Sequence, residues 1–408
     1  MPLDVEFVRN QFPAFAEPSL AGWAFFENAG GSYTCRQVIA RLNRFYTQTK
    51  VQPYYNYPAA QNAGAAMDEA YRRFAAYLNV GDDEVHFGPS TTQNLYVLAQ
   101  AFGELWQPGD EIIVSNQDHE ANAGYWRRLE ARGIVVKEWC LDSQTGMLDP
   151  EDLEALFTPK TKLLAFPHCS NVIGHINPVA EIVVKAQAAG VRTVVDGVAY
   201  APHGLPDIAA LGADIYLFSV YKTWGTHLGL MTIKKAVLDE LPNQGHFFNN
   251  VTRKKMVPAG PDHAQIAAAA GVAQYLDDLY AHHYPDPASA PEKGRLLKAL
   301  FHRHESQLMA RLLDWLRQRD DIDIVGPDDP ASRVSTVSVI PKKKSVDEVY
   351  AALTAKKLMV GQGSFYGVRP LAGMNIPVSP GVIRCSFLHY TTEAELDQLI
   401  DGFAAALD

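Results

Sequence analysis

The 408-residue chain is poor in cysteine, in basic charge and in long apolar runs, and each shortage excludes something. Its four cysteines, Cys35, Cys140, Cys169 and Cys385, are scattered without a CxxC pair. Neither a disulfide framework nor a structural metal site is therefore expected, and a reducing, cytoplasmic setting fits. Lys and Arg number 36 against 46 Asp and Glu, a net charge of −10. That balance argues against a nucleic-acid partner, which needs clustered basic side chains. The longest basic run, Lys342, Lys343 and Lys344, follows Pro341 and reads as a solvated turn. No apolar run approaches the ~18 residues of a membrane span, so no membrane partner is expected. Asp4 and Glu6 interrupt the N-terminus where a secretory signal would be apolar. No internal repeat or low-complexity tract is visible. What is present is the 47% apolar, 20% charged composition of a globular protein, long enough for two or three packed units.

The middle of the chain alternates between two hydrophobic periods. Runs rich in β-branched and aromatic residues at 84–87, 111–114, 162–166, 193–195 and 214–220 read as strands. Between them, 92–105, 121–131 and 178–189 read as helices, the last opened by Pro178 and stopped by Gly190. Such alternation predicts an α/β fold with a mostly parallel sheet covered on both faces. Three prolines within 282–291 break the pattern. A long amphipathic helix (292–319) follows, then strand 335–340, helix 346–356, strand 358–361, strand 382–387 and helix 393–407, as in a smaller α+β unit. Thr392 and Glu395 form a capping box for that last helix.

Ligands bind such sheets outside the carboxyl ends of the strands, so the polar residues that follow each strand are the ones to read. Lys222 follows the run 214–220. A buried lysine is costly unless paired or neutral, and a desolvated amine suits Schiff-base chemistry. A lysine whose head snorkels to solvent is the competing reading. Asp196 follows another buried run, 26 residues earlier; it could hold a protonated pyridine nitrogen or merely cap a turn. The stretch GPSTT, 88–92, lies between strand and helix and could bind phosphate through backbone N–H groups and the Thr91 and Thr92 hydroxyls. His119 could lie flat on an aromatic ring or serve as a structural hydrogen-bonder. Asn171 could donate to a phenolic oxygen or stabilise a turn.

Taken together, FENAGG (26–31), STTQN (90–94), DHEAN (118–122), SNVIGHINPVAEI (170–182), VVDGVAYAPH (194–203), SVYKTWG (219–225) and IRCSFLHYTTEAELD (383–397) resemble the fold-type I pyridoxal-phosphate enzymes. Within them the chain is similar to the class V aminotransferase and cysteine-desulfurase-like superfamily. The resemblance implies a fold-type I transferase fold. Its large domain, 15–285, would carry a mostly parallel seven-stranded sheet. Residues 1–14 and 286–408 would form the smaller α+β domain. It implies pyridoxal 5′-phosphate as cofactor and a homodimer acting on a small-molecule amino acid or amine. Lys222 would form the Schiff base and move the Cα proton, with His119 stacked on the ring. Asp196 would pair with the pyridine nitrogen, and Asn171 would bond the ring oxygen. Thr91, Thr92, Ser219 and Tyr221 would hold the phosphate. Arg384, Asn28 and Tyr366 would meet the substrate, Arg384 as a bidentate fork for its carboxylate.

Several positions depart from that pattern. The loop 360–370, VGQGSFYGVRP, holds no cysteine where a desulfurase carries its sulfur-accepting thiolate, and Ser364 cannot replace one. Cys169 could approach the cofactor; Cys385 should face away from Arg384, Cys35 lies near the first helices and Cys140 in a strand. Ala199 stands where the family has Gln, Tyr221 where it has His, and Pro261 where a phosphate-binding Thr would come from the partner subunit. The aromatic stretch PYYNYP, 53–58, is expected at the site entrance or at the dimer interface, as is the apolar surface of helix 264–275. Phe365 and Tyr366 are expected as a pocket wall, with His227 a weaker candidate. The expected activity is transamination through an external aldimine and Cα deprotonation. β-Elimination, including C–S lyase chemistry without a protein persulfide, is the alternative, epimerisation a further outcome of the same proton abstraction, and a non-catalytic protein the remote one.

Overall fold

The computed structural model describes residues 2–249 and 251–408. Seven strands form the main sheet, in the spatial order Val85–Gly88, Gly229–Ile233, Ile215–Ser219, Arg192–Asp196, Thr161–Pro167, Glu111–Ser115, Val135–Trp139. Six of these run in the same direction, five of them as directly paired parallel neighbours. Gly229–Ile233 is antiparallel to both of its neighbours. Reversing that one strand leaves Gly88, Ser219, Asp196, Pro167 and Ser115 at the same edge, together with the start of Gly229–Ile233.

The strands are apolar because both faces are covered. Alternate residues enter two different cores: Leu164, Phe166, Val195, Tyr216 and Phe218 on one side, Leu163, Ala165, Val194, Ile215 and Leu217 on the other. A period of two with both phases apolar gives the continuous hydrophobic runs seen in the sequence. Two strands lie outside the runs expected from it. Gly229–Ile233 opens on a glycine directly after a glycine-flanked loop, and Val135–Trp139 is an edge strand with Lys137 and Glu138 in it.

The C-terminal part builds a four-stranded antiparallel sheet in the order Gly361–Gly363, Val382–Ser386, Thr336–Pro341, Ile322–Val325. The expected strand 358–361 is divided: Leu358–Met359 pairs in parallel with Ala24–Phe25, and Gly361–Gly363 joins Val382–Ser386. The capping box of Thr392 and Glu395 forms at the start of helix Glu393–Leu407. Core membership does not follow chain order. Val8 and Phe12 enter the core around the main sheet, whereas Ala24 and Phe26 enter the smaller one. The helix Ala290–Arg317 serves both, through Leu297, Leu300 and Phe301 at one end and Leu308, Leu312 and Leu316 at the other.

The segment expected to offer an apolar interface instead lies inside the subunit. It is part of helix His263–His283, whose residues Ala264 and Ile266 to Ala273 are buried. A Cβ on Gly271 would come within 2.5 Å of the Val38 backbone nitrogen, so the glycine permits close packing against helix Arg36–Gln48. No helix among the described residues is long and apolar enough to cross a membrane.

Gly229 ties the sheet to the helix that follows Gly88. A Cβ there would lie 2.3 Å from both the Ser90 carbonyl carbon and the Thr91 nitrogen, and rigid backbone cannot yield as a flexible side chain can. Gly229→Ala is expected to destabilise the protein by about 2 kcal/mol or more. It should also weaken anion binding at Thr91. Urea unfolding and phosphate titration of the variant check both.

Candidate active site

The residues after the strands converge on one cleft, lined by Thr91, Thr92, Asp118, His119, Asn171, Asp196, Ser219, Tyr221 and Lys222, with Cys169, Val198 and Ala199 beside them. At one end, Ser90 caps helix Thr91–Leu105 by accepting from the Gln93 N–H. The Thr91 and Ser219 hydroxyls meet at 2.9 Å, and Tyr221 lines the cleft with them. Exposed N–H groups and hydroxyls at a helix N-terminus form an anion cradle. At the other end lies the Asp196 carboxyl, buried and accepting from the Val198 N–H at 2.8 Å.

Lys222 stands in a short 3₁₀ turn directly after Ile215–Ser219. The turn is clamped from two sides: the Val220 N–H donates to Leu228 O at 2.8 Å, and Ser32, just past the FENAGG stretch, accepts from the Trp224 N–H at 2.8 Å. Burial, helped by the positive Arg384, lowers the Lys222 pKa to about 8, against the opposing pull of Asp196 and Glu27. Burial raises Asp196 to about 6, with the Val198 N–H and Lys222 acting in the other direction. Asp118 is pushed well above the usual carboxylate range, first by burial and then by the Asp196 charge. It accepts from Ser115 and Asn122 on one oxygen, and its Oδ1 has no partner among the described residues.

His119 caps helix Glu120–Arg127, its Nδ1 accepting from the Ala121 N–H at 3.0 Å. That bond places the ring proton on Nε2. Burial and the positive Lys222 and Arg384 hold the imidazole neutral, its pKa lowered to about 4. Tyr366 is largely exposed at the mouth, its ring centroid 5.3 Å from that of His119, and His227 stacks on Tyr221 at 4.7 Å.

Three sequence expectations meet a different arrangement. Asn28 is not at the cleft: its amide donates to Phe25 O and Ser386 O and accepts from the Tyr390 hydroxyl. Asn171 does line the cleft, but its Nδ2 donates to Phe365 O at 2.9 Å, leaving Oδ1 unpartnered among the described residues. Arg384 is present but engaged, bonded to Glu27 and to Asn171 O and lying 3.7 Å from the Phe365 ring centroid. Phe365 and Tyr366, both with left-handed φ of 54° and 57°, hold the loop in this position, a conformation that bulky residues adopt only where surrounding contacts impose it. One such contact is the Glu120 N–H donating to Tyr366 O.

The cysteines fall as follows. Cys35 caps helix Arg36–Gln48, and Cys385 lies in the smaller core. Cys140 is exposed just beyond Val135–Trp139 rather than in it. Cys169 lines the cleft, its buried thiol pushed far up and facing Gly174 O at 3.2 Å.

Comparison with known proteins decides the family. The family described as Aminotransferase class-V matches residues 24–274 and 295–399. The chain belongs to the class-V aminotransferase family. An aminotransferase-like protein of Gibberella zeae is 36% identical, covering 97% of this chain and 96% of its own. A cysteine desulfurase of Serratia proteamaculans is 28% identical, covering 98% of each. In structure, the Escherichia coli cysteine desulfurase CsdA superposes with a TM-score of 0.84 over 100% of this chain and 99% of its own, at 23% identity. The cysteine desulfurase of Thermococcus onnurineus reaches 0.86 at 22% identity, covering 98% and 97%. Family members are pyridoxal-phosphate-dependent enzymes, transferases or lyases. The donor set of this cleft fits that cofactor, with an anion cradle, a buried carboxyl and a desolvated amine between them.

The raised Asp196 has a stability consequence. Between about pH 4 and 6 the folded chain holds a proton that the unfolded chain has released, so stability falls as pH rises through that window. Lys222 acts at the other end: from about pH 8 to the ordinary 10.5 the unfolded chain holds the extra proton, and stability rises. Cofactor-free Asp196→Asn is therefore expected to be more stable than the wild type at pH 7, the difference shrinking toward pH 4. Urea unfolding at stepped pH measures it; a constant difference would contradict the burial argument.

Proposed function

We propose that the cleft holds pyridoxal 5′-phosphate and that the protein moves the Cα proton of a small amino acid or amine, with transamination as the net reaction. The observation that carries this reading is a buried lysine amine, its pKa lowered to about 8, in one cleft with the buried Asp196 carboxyl. When bound, the cofactor supplies an electron sink for the substrate's Cα electrons.

The chain's own residues divide the remaining work. Thr91, Thr92 and Ser219, with Tyr221, bind the phosphate. Asp196, as carboxylate, keeps a proton on the pyridine nitrogen; the cation restores the charge that burial disfavours. His119 offers a neutral ring face. Asn171 reaches the ring oxygen once its amide leaves Phe365. Lys222 anchors the cofactor and, as a partly neutral amine near pH 8, takes and returns the Cα proton. Arg384 receives the substrate carboxylate, and Phe365 and Tyr366 close the site against water. The working unit in this reading is a homodimer, with the exposed Tyr54, Tyr55 and Tyr57 beside the partner's entrance.

β-Elimination with free release of sulfur is the second reading, favoured by the thiols. The loop Gly361–Gly363 to Pro370 offers none, and the Cys169 thiol is buried and held protonated. Only a thiolate can accept sulfane sulfur. A screen that adds amino acids singly and follows pyridoxamine, pyruvate, ammonia and sulfide together separates the reactions.

Lys222→Ala is expected to abolish borohydride-stable attachment of pyridoxal phosphate, read by intact mass. Retained attachment would move the anchor to another lysine. Incubation with cysteine is expected to leave no persulfide on the protein. A stoichiometric persulfide that disappears in Cys169→Ser would instead establish desulfurase chemistry.

A further inference from the structure

Arg384 already holds a carboxylate. Its side chain is 2% exposed, with Nη2 bonded to Glu27 Oε1 and Nη1 donating to Asn171 O at 3.1 Å. The Phe365 ring covers the guanidinium, and Nε has no partner among the described residues. Glu27 is less enclosed, its side chain 29% exposed. It follows strand Ala24–Phe25, which carries it to the end of Val382–Ser386.

The space for this carboxylate is built by two glycines. Gly361 stands opposite Arg384 in the antiparallel ladder. A Cβ there would come within 3.0 Å of Glu27 Oε1 and 2.7 Å of Phe365 Cε1. A Cβ on Gly30 would come within 1.8 Å of Glu27 Oε2.

A guanidinium offers two edges to a bidentate carboxylate, Nη1 with Nη2 and Nε with Nη2. Both use Nη2, each through a different one of its two N–H bonds. While Glu27 holds one of these, a second carboxylate can fork only along the other edge, next to the Glu27 charge, which opposes it. We infer that Glu27 is a displaceable internal carboxylate, a specificity-determining residue that competes with a substrate carboxylate for Arg384. The inference rests on the reading of Arg384 as the carboxylate binder. An amine without a carboxylate needs no exchange and leaves the Glu27–Arg384 pair intact. Glu27 thus sets how strongly the site prefers amino acids over amines.

Calorimetric titration of the holoenzyme with propionate, and with the isosteric neutral propionamide, tests this at fixed ionic strength. Glu27→Gln exchanges a charged competitor for a weaker neutral one, and propionate affinity is expected to rise about tenfold. Propionamide affinity should not change, which also verifies that the variant is folded. Glu27→Asp retains the charge but draws it back by one methylene; it should show a smaller rise in the same direction and covers the case in which the Gln variant fails to fold. Propionate binding no tighter than wild type in the folded variants overturns the inference. Arg384→Gln separates the two levels: loss of propionate binding there with no gain in the Glu27 variants refutes the role of Glu27 alone, whereas wild-type propionate binding in Arg384→Gln refutes the role of Arg384 as well.

Discussion

A lysine amine and two carboxyl groups are kept out of water at one edge of a single sheet, and the rest of the molecule is arranged around that cost. Burial opposes the charged form of each group: Lys222 is pulled down, Asp196 and Asp118 are pushed up. The chain tolerates this because the groups lie at the ends of strands, or just past them, and those strands are buried on both faces and fixed in register by their neighbours. In the proposed reading, a cofactor with an anionic end and a basic ring nitrogen would find complementary partners in the cleft, and its binding would recover part of what folding gave up.

The sheet's one reversed strand is what closes the cleft beside Thr91 and Ser219. Gly229 lies against the backbone of Ser90 and Thr91, which brings the helix start beside Ser219. On the opposite side, the smaller unit reaches in with Arg384 and the loop that bears Phe365 and Tyr366. The Asn171 amide and the Arg384 guanidinium are meanwhile bonded to Phe365 O and Glu27. Both bonds are polar contacts of the kind a ligand can replace one for one, which costs less than opening an apolar interface.

Much of the fold was readable from residue pattern because buried strands and amphipathic helices announce themselves locally. The strand that ends on Asp196, the strands that precede Asn171 and Lys222, the helix after Ser90 and the capping box at Thr392 all follow from nearest-neighbour chemistry. Helix His263–His283 shows the limit. Its run of alanines is equally apolar whether it faces a partner or its own core, and only Gly271 against Val38 tells them apart. Asn28 shows it again: beside the nearby Phe25, its amide is engaged by Ser386 and Tyr390, which are 358 and 362 residues away in the chain.

Residue pattern alone is enough to tell which residues follow buried strands, and hence that the Thr91 and Ser219 hydroxyls, His119, Asn171, Asp196 and Lys222 share one edge. It also determined that the loop beside Arg384 has no thiol. What those groups touch is set by packing between elements far apart in the chain. Glu27 and Arg384 are 357 residues apart, and Asn171 and Phe365 are 194 apart. Local periodicity reports whether a side chain is buried; the identity of its partner depends on how separate elements pack.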